Sequence, residues 1–309
     1  MNPNAYDTIV IGAGAAGLSA ALVLGRARRR VLVLDGGPPR NARAAHVNGY
    51  LGVDGLSPLE LLETGRRQVE KLGVEIVAEV ATKVEAADGG FHVVAGDERL
   101  HAKHVVLAAG ITDALPDLPG VAEGFGVDIF HCPYCHGYEV AGKRLAVVAT
   151  QPMSGHQVRM VRQWSDDVVF FLNDTVELDV AERRVFAARG VEVVDGPVGE
   201  VVRRDGALHG VRAAGSVHEV DAVFMAPRMV LNLDAFAGFD LEMTDTPMGP
   251  VVAADPMGAT NVPGLWAAGN VADAGSQVIA AAAQGARVGA MINGTLVEAE
   301  WAEAAQASS

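Results

Sequence analysis

The sequence holds only two cysteines, Cys132 and Cys135, in 309 residues. Two cannot build a disulfide framework, so a stapled secreted scaffold is excluded and a cytoplasmic location is expected. Aromatic residues are scarce at 5%, which argues against stacking platforms for single-stranded nucleic acid. Positive charge is in deficit: 24 Lys and Arg face 38 Asp and Glu, a net charge of −14. So acidic a chain repels phosphate backbones and anionic membrane surfaces, and neither nucleic acid nor membrane is expected as a partner. Low-complexity sequence is absent, apart from a tail after Trp301 that is expected to fray. One uncharged stretch, Thr8 to Gly25, is long enough to raise the question of a membrane span. Its Gly and Ala content, its GAGAAG centre and the preceding Asp7 argue against both a span and a signal peptide.

What remains is a globular chain. Half the residues are hydrophobic and 20% are charged, which excludes disorder. At roughly 150 residues per domain the length suggests two domains. Glycine is abundant, with 36 residues, and points to tight turns and close backbone approaches.

The first thirty residues or so read as strand, glycine turn, helix, strand. Tyr6 to Ile11 is a short β-rich run. Gly12, Gly14 and Gly17 follow in G-x-G-x-x-G spacing, Leu18 to Arg28 suits a helix, and Val31 to Leu34 ends in Asp35. In that context the motif is a dinucleotide fingerprint. Gly12 allows the tight turn. Gly14 lets the backbone approach a pyrophosphate at the helix N-terminus, and Gly17 lets helix and strand pack closely. Asp35 accepts hydrogen bonds from ribose hydroxyls.

Further along, His104 to Ala109 is another apolar strand, and Gly110 follows it. Pro116, Pro119, Gly120, Gly124 and Gly126 mark a crossover between domains. Arg144 begins a second strand–turn–helix–strand unit that runs to Asn173. Met225 to Pro250 reads as an irregular return crossover, Gly264 to Gly269 as a strand, and Val278 to Asn293 as an Ala-rich helix. The two nucleotide units repeat at an offset of 137 residues. Gly12 falls opposite Ala149, Gly14 opposite Gln151, Gly17 opposite Ser154 and Asp35 opposite Leu172. The second unit lacks the glycines and the terminal acid or arginine, as in a disabled NAD(P)H site or a different loop on a similar scaffold.

Both cysteines sit in His131-Cys132-Pro133-Tyr134-Cys135-His136. A C-x-x-C pair can close a redox disulfide, and a helix start or a neighbouring His would make Cys132 the nucleophile. Pro133 keeps Cys132 out of the helical conformation. His136 can take or give the proton that thiol exchange requires. The same letters also admit haem attachment, half a zinc site or a glutaredoxin-like domain. Tyr134, Trp164, Met153 and His156 either shape a substrate pocket or pack the core.

These motifs resemble the low-molecular-weight thioredoxin reductases over nearly the whole chain: GAGAAG, CPYC and ATNVPGLWAAGNVAD. CPYCHGYE resembles the branch of FAD-dependent dithiol oxidases that close disulfides in natural products such as gliotoxin, holomycin and romidepsin. The resemblance implies an α/β fold of two Rossmann-like domains. Residues 1–115 and 245–309 would form the FAD-binding domain, and 116–244 an inserted NAD(P)-like domain carrying the cysteine pair. It implies FAD at Gly12, Gly14, Gly17 and Asp35, with Arg40 and Asn41 near its phosphates and Ala109 and Gly110 lining the flavin. Gly269 and Asn270 would hold the ribityl chain, and Gln277 and Val278 the isoalloxazine edge. It also implies a homodimer, and no metal. Three departures stand out. His136 replaces the usual Asp after the second Cys, Asn270 replaces the usual Asp of the C-terminal AGD motif, and the degraded second fingerprint counts against NADPH.

The expected function is therefore an FAD-dependent dithiol oxidase with catalytic residues Cys132, Cys135 and His136. Its partners would be a small-molecule dithiol and dioxygen. The alternative is a thioredoxin reductase-like enzyme that uses NADPH or ferredoxin to reduce a thioredoxin-type disulfide. An acidic ferredoxin would need a basic patch such as Arg26 to Arg30. A third reading is a redox-sensing flavoprotein without turnover.

Overall fold

The computed structural model describes residues 4–308. It divides into two compact units. One comprises residues up to Ala42, Ser57–Thr112 and those from Met229 onward; the other comprises Arg43–Leu56 and Asp113–Arg228.

The first unit is a Rossmann-like layer. Parallel strands Glu75–Val77, Val31–Leu34, Ala5–Ile11 and Glu98–Leu107 lie in that order. Leu265–Ala267 pairs parallel with Glu98–Leu107. Gly90–Ala95 and Ala81–Ala87 extend the sheet antiparallel. The inner strands are near-continuous apolar runs because both faces are covered. Alternation assigns their side chains. Ile9, Ile11, Leu32 and Leu34 enter one core with Phe91 and Phe236, while Val10, Val31 and Val33 enter the other with Ala16, Ala20 and Leu24. That second core is closed by helix Ala15–Arg26 against helix Val278–Ala307. A Cβ at Gly289 would stand 2.7 Å from the Ala20 carbonyl oxygen, so the glycine sets how closely the helices approach.

The second unit repeats the theme. Val191–Val194, Val168–Phe171, Leu145–Val148, Ala222–Phe224 and Ile129–Phe130 form an all-parallel sheet. Helices Ser154–Val161 and Val180–Ala188 and an antiparallel sheet of Val198–Arg204, Ala207–Ala213 and Ser216–Glu219 accompany it.

Four expectations shift. The helix after the glycine turn spans Ala15–Arg26, not Leu18 to Arg28, because Gly14 is its N-cap and Arg28 lies at φ 63°, outside helical space. The return to the first unit comes at 228/229, not 244/245. The cause is apolar: Ala235 and Phe236 are buried in that unit's core, with Phe239 packed on Phe91. The stretch from Met225 to Pro250 is not irregular throughout: it holds strand Arg228–Leu231 and a hairpin of Met243–Thr246 with Gly249–Val252. Nor does the chain fray after Trp301, since one helix runs to Ala307. Arg29, just beyond helix Ala15–Arg26, ties the two helices together through Asn293 and Glu300.

Candidate active site

In the first unit, Ala5–Ile11 delivers the chain to the glycine turn. Gly12 sits at φ +111°, and a Cβ there would run into the Ala108 carbonyl. A Cβ at Gly17 would collide with the Gly12 carbonyl. At Gly14 a Cβ would meet nothing within 4 Å. So Gly12 and Gly17 serve the fold, and Gly14 leaves open space for a ligand's close approach. No side chain caps the helix that follows, and no acid stands in its first turn. Its first N–H groups are thus available to an anion.

Asp35 is held in place. Its Oδ2 accepts from Arg66 Nε at 3.1 Å and from an Arg66 terminal nitrogen at 2.7 Å, and its Oδ1 accepts from Gly37 N at 3.1 Å. A carboxylate has about four acceptor positions, so capacity remains for ribose hydroxyls. Arg66 carries no local sequence signal, being an ordinary cation on helix Pro58–Glu70. Arg40 and Asn41 lie in the loop beyond Asp35.

Ala109 and Gly110 are fixed by Asn232, which sequence reading missed. Its Nδ2 donates to Ala109 O at 2.9 Å and its backbone N to Gly110 O at 3.3 Å. Gly269 N donates to Gln284 Oε1 at 2.8 Å. Asn270 turns toward its own loop, where Nδ2 donates to the carbonyls of Asp273, Ala274 and Ser276 at 3.2, 3.2 and 3.0 Å. An aspartate could make none of these bonds, since an ionised carboxylate has no hydrogen to donate. Gln277 is the N-cap of helix Val278–Ala307, and Val278 is its first residue. This helix start also has no side-chain cap and no acid in its first turn. Two open helix starts, a cradle at Gly14 and the acid at Asp35 fit the pyrophosphate and ribose of FAD.

In the second unit, Cys132 and Cys135 are joined in a disulfide with Cα atoms 5.3 Å apart. The bond favours the redox pair among the readings open at C-x-x-C-H, since haem attachment or zinc ligation needs the two sulfurs separate. Cys132 is extended, at φ −97° and ψ 113°, as Pro133 demands. It caps helix Pro133–His136, and Cys135 N donates to Cys132 Sγ at 3.2 Å. Four residues make too short a helix for its macrodipole to matter, and this amide is a local aid to a thiolate. His136 stacks on Phe130, with ring centroids 4.4 Å apart and planes at 20°. Burial lowers its pKa below the ordinary imidazole range, and the Glu139 carboxylate acts in the opposite direction. His136 is thus neutral near pH 7 and able to accept a proton. Gln157 Nε2 donates to His131 O at 2.7 Å and steadies the approach to Cys132.

The second fingerprint is closed by its own side chains. Ser154 Oγ accepts from Thr150 N at 3.2 Å, and Thr150 Oγ1 donates to Ala226 O at 2.6 Å. Pro152 and Met153 precede the helix at positions that are already helical in the first unit. Leu172, opposite Asp35, is buried. Asn173 is engaged at both ends of its amide, donating to Ala149 O at 2.9 Å and accepting from Val198 N at 2.8 Å.

Tyr134 is exposed, with its ring edge-on to Trp164 at 5.6 Å. His156 instead lines a cleft of about 280 Å³ with Arg159, Glu177 and Phe186. In the Arg26–Arg30 patch, Arg29 binds Glu300, and Arg30 lies 3.8 Å from Glu75 and over the Tyr6 ring. Part of the patch is therefore committed within its own unit.

Comparison with known proteins finds relatives over nearly the whole chain. The chain is 30% identical to the thioredoxin reductase sirT of Leptosphaeria maculans, over 94% of each chain. It is 42% identical to HlmI in a crystal structure, with a TM-score of 0.92, covering 100% of this chain and 98% of that one. An oxidoreductase from Agrobacterium tumefaciens is 36% identical, with a TM-score of 0.89, covering 94% and 98%. Residues 6–285 match the pyridine nucleotide-disulphide oxidoreductase family. The chain belongs to that family, as an FAD-dependent thiol–disulfide oxidoreductase.

Proposed function

We propose that the protein is a dithiol oxidase that closes a disulfide in a small-molecule dithiol, with dioxygen as the final acceptor. The observation that carries this reading is the closed second fingerprint: Ser154 occupies the Thr150 amide, and Asn173 is satisfied at both ends. Neither group offers a pyrophosphate or a ribose the welcome that Gly14 and Asp35 offer in the first unit.

The chain's residues divide the work. A substrate thiolate attacks Cys132 Sγ, the S–S bond to Cys135 breaks, and Cys135 leaves as thiolate. The second substrate thiol gives its proton to neutral His136 and attacks the substrate sulfur of the mixed disulfide. Cys132 leaves as thiolate, helped by the Cys135 amide 3.2 Å from its sulfur. The oxidised substrate departs and the enzyme holds a dithiol. Gly14, Asp35 and the helix starts at Ala15 and Val278 would hold FAD. When bound, FAD supplies a two-electron acceptor for the enzyme dithiol and a route for the electrons to dioxygen. Over one cycle the substrate loses two electrons and two protons and gains one S–S bond. Dioxygen gains both and leaves as hydrogen peroxide.

The test is stoichiometry in air. One peroxide and one disulfide per dithiol consumed, over many turnovers, is the expected result. A single turnover followed by arrest would instead indicate a sensor.

A further inference from the structure

Residues 43–56 pack with the second unit, although the chain on either side belongs to the first. The segment is a tied loop. Arg43 donates to the carbonyls of Ala122 and Glu123 at 2.5 and 2.6 Å. Val47 N donates to Leu56 O at 2.8 Å, Gly55 N to Val47 O at 2.9 Å, and Gly49 N to Asp54 Oδ1 at 2.6 Å. None of these bonds uses the Asn48 side chain. Asn48 Nδ2 instead donates to Cys135 O at 2.8 Å and to Glu139 Oε1 at 3.0 Å, joining residues 87 and 91 apart in sequence.

The Cys132–Cys135 turn has its own bonds. Cys135 N donates to Cys132 O at 3.2 Å, and Gly137 N to Pro133 O at 2.7 Å. Asn48 adds a tie from another part of the chain. While the disulfide is closed, the S–S bond holds the turn. Once it is reduced, hydrogen bonds take over that task. A fixed Cys135 carbonyl then keeps the two sulfurs close and raises the effective concentration of one thiol at the other.

We propose that Asn48 is a positioning residue for the redox pair, holding the Cys135 end of the turn so that the disulfide is favoured over the dithiol. The inference rests on the reading of Cys132 and Cys135 as the working pair of a dithiol oxidase. Its test is an equilibrium that needs neither catalytic turnover nor dioxygen.

The FAD-loaded protein is equilibrated without air in buffers of reduced and oxidised dithiothreitol, and free thiols are alkylated and counted by mass. Each disulfide reduced forms one oxidised dithiothreitol. Asn48→Ala should move the equilibrium toward the dithiol by about five- to tenfold, or about 20–30 mV at about 30 mV per tenfold. Asn48→Asp keeps the size but loses the N–H donor, and should move it the same way. Arg43→Ala loosens the loop without touching the turn. It should lower the unfolding temperature and leave the midpoint in place. Midpoints within twofold of wild type for both Asn48 variants would overturn the proposal. So would an Arg43→Ala shift as large as that of Asn48→Ala. Failure to oxidise a dithiol in air would count against the oxidase reading alone, because the thiol count stands without turnover.

Discussion

Ser154 Oγ accepts the backbone N–H of Thr150 at 3.2 Å, and Ser154 is 1% exposed. Its counterpart in the first unit is Gly17, where any side chain would strike the Gly12 carbonyl. One repeat keeps its turn amides for a ligand; the other has supplied a ligand of its own. Replacing Ser154 by Ala leaves the Thr150 N–H without its acceptor. The expected cost is about 1–3 kcal/mol of stability. Denaturant unfolding measures it, and turnover per folded molecule should stay near wild type.

The cysteines should separate cleanly by role. Cys132→Ser removes the sulfur that the substrate attacks, and exchange with a dithiol should cease. Cys135→Ser leaves Cys132 as the single thiol, able to form a mixed disulfide but not the internal one. Mass spectrometry after exposure to a mixed-disulfide probe should find the adduct forming faster on Cys135→Ser, whose Cys132 sulfur keeps the amide beside it, than on Cys132→Ser. Wild-type turnover in either variant would contradict the relay.

His136 predicts a pH limb. Burial lowers its pKa below that of an ordinary imidazole, and Glu139 raises it in part. The neutral ring is the proton acceptor, so activity should rise with pH through this group, below the usual imidazole range. Glu139→Gln removes the raising charge, and the limb should move to lower pH. His136→Ala should slow turnover by about 10²–10⁴-fold. Stability follows with a definite sign. The unfolded imidazole binds a proton more readily than the folded one, so this group's contribution is intact above the unfolded pKa. It is lost as pH falls from there toward the folded pKa. A pH titration of the unfolding midpoint, wild type against His136→Ala, reads that contribution.

Asn270 supplies the fourth prediction. Its amide donates to three carbonyls of the 273–276 loop. Asn270→Asp would set a carboxylate against those oxygens, leaving them without their donor and adding repulsion. The loop that leads into Gln277 should loosen. The expected outcome is a lower unfolding temperature and FAD lost on gel filtration, read by flavin absorbance per protein.

Much of this was legible in the sequence because it is local. Gly12, Gly14, Gly17 and Asp35 lie within one strand–helix–strand, and their spacing alone reports the turn. Pro133 announces the extended Cys132 in the same way. The groups that hold these residues were not legible, because they arrive from far along the chain. Arg66 reaches Asp35, Asn232 reaches Ala109, and Asn48 reaches Cys135, in each case from a helix face or loop with no motif of its own. The boundary near residue 228 was missed for a related reason: Phe236 belongs to the first unit through burial, which no local signal reports. The end of the last helix was missed because an Ala- and Glu-rich tail reads alike whether or not Arg29 ties the helix down.

The most direct measurement of the central claim compares two reductants without air. A small dithiol should bleach the flavin absorbance, while NADPH at micromolar concentration should do so slowly or not at all. The closed turn at Ser154 takes up the Thr150 amide and so denies the pyrophosphate that charge-assisted hydrogen bond, worth about 1.5–3 kcal/mol. Losing it weakens affinity by about 10–10²-fold. Readmitting air should restore the oxidised spectrum with formation of hydrogen peroxide. Rapid bleaching by micromolar NADPH, with the dithiol inert, would contradict the account and make the enzyme a reductase.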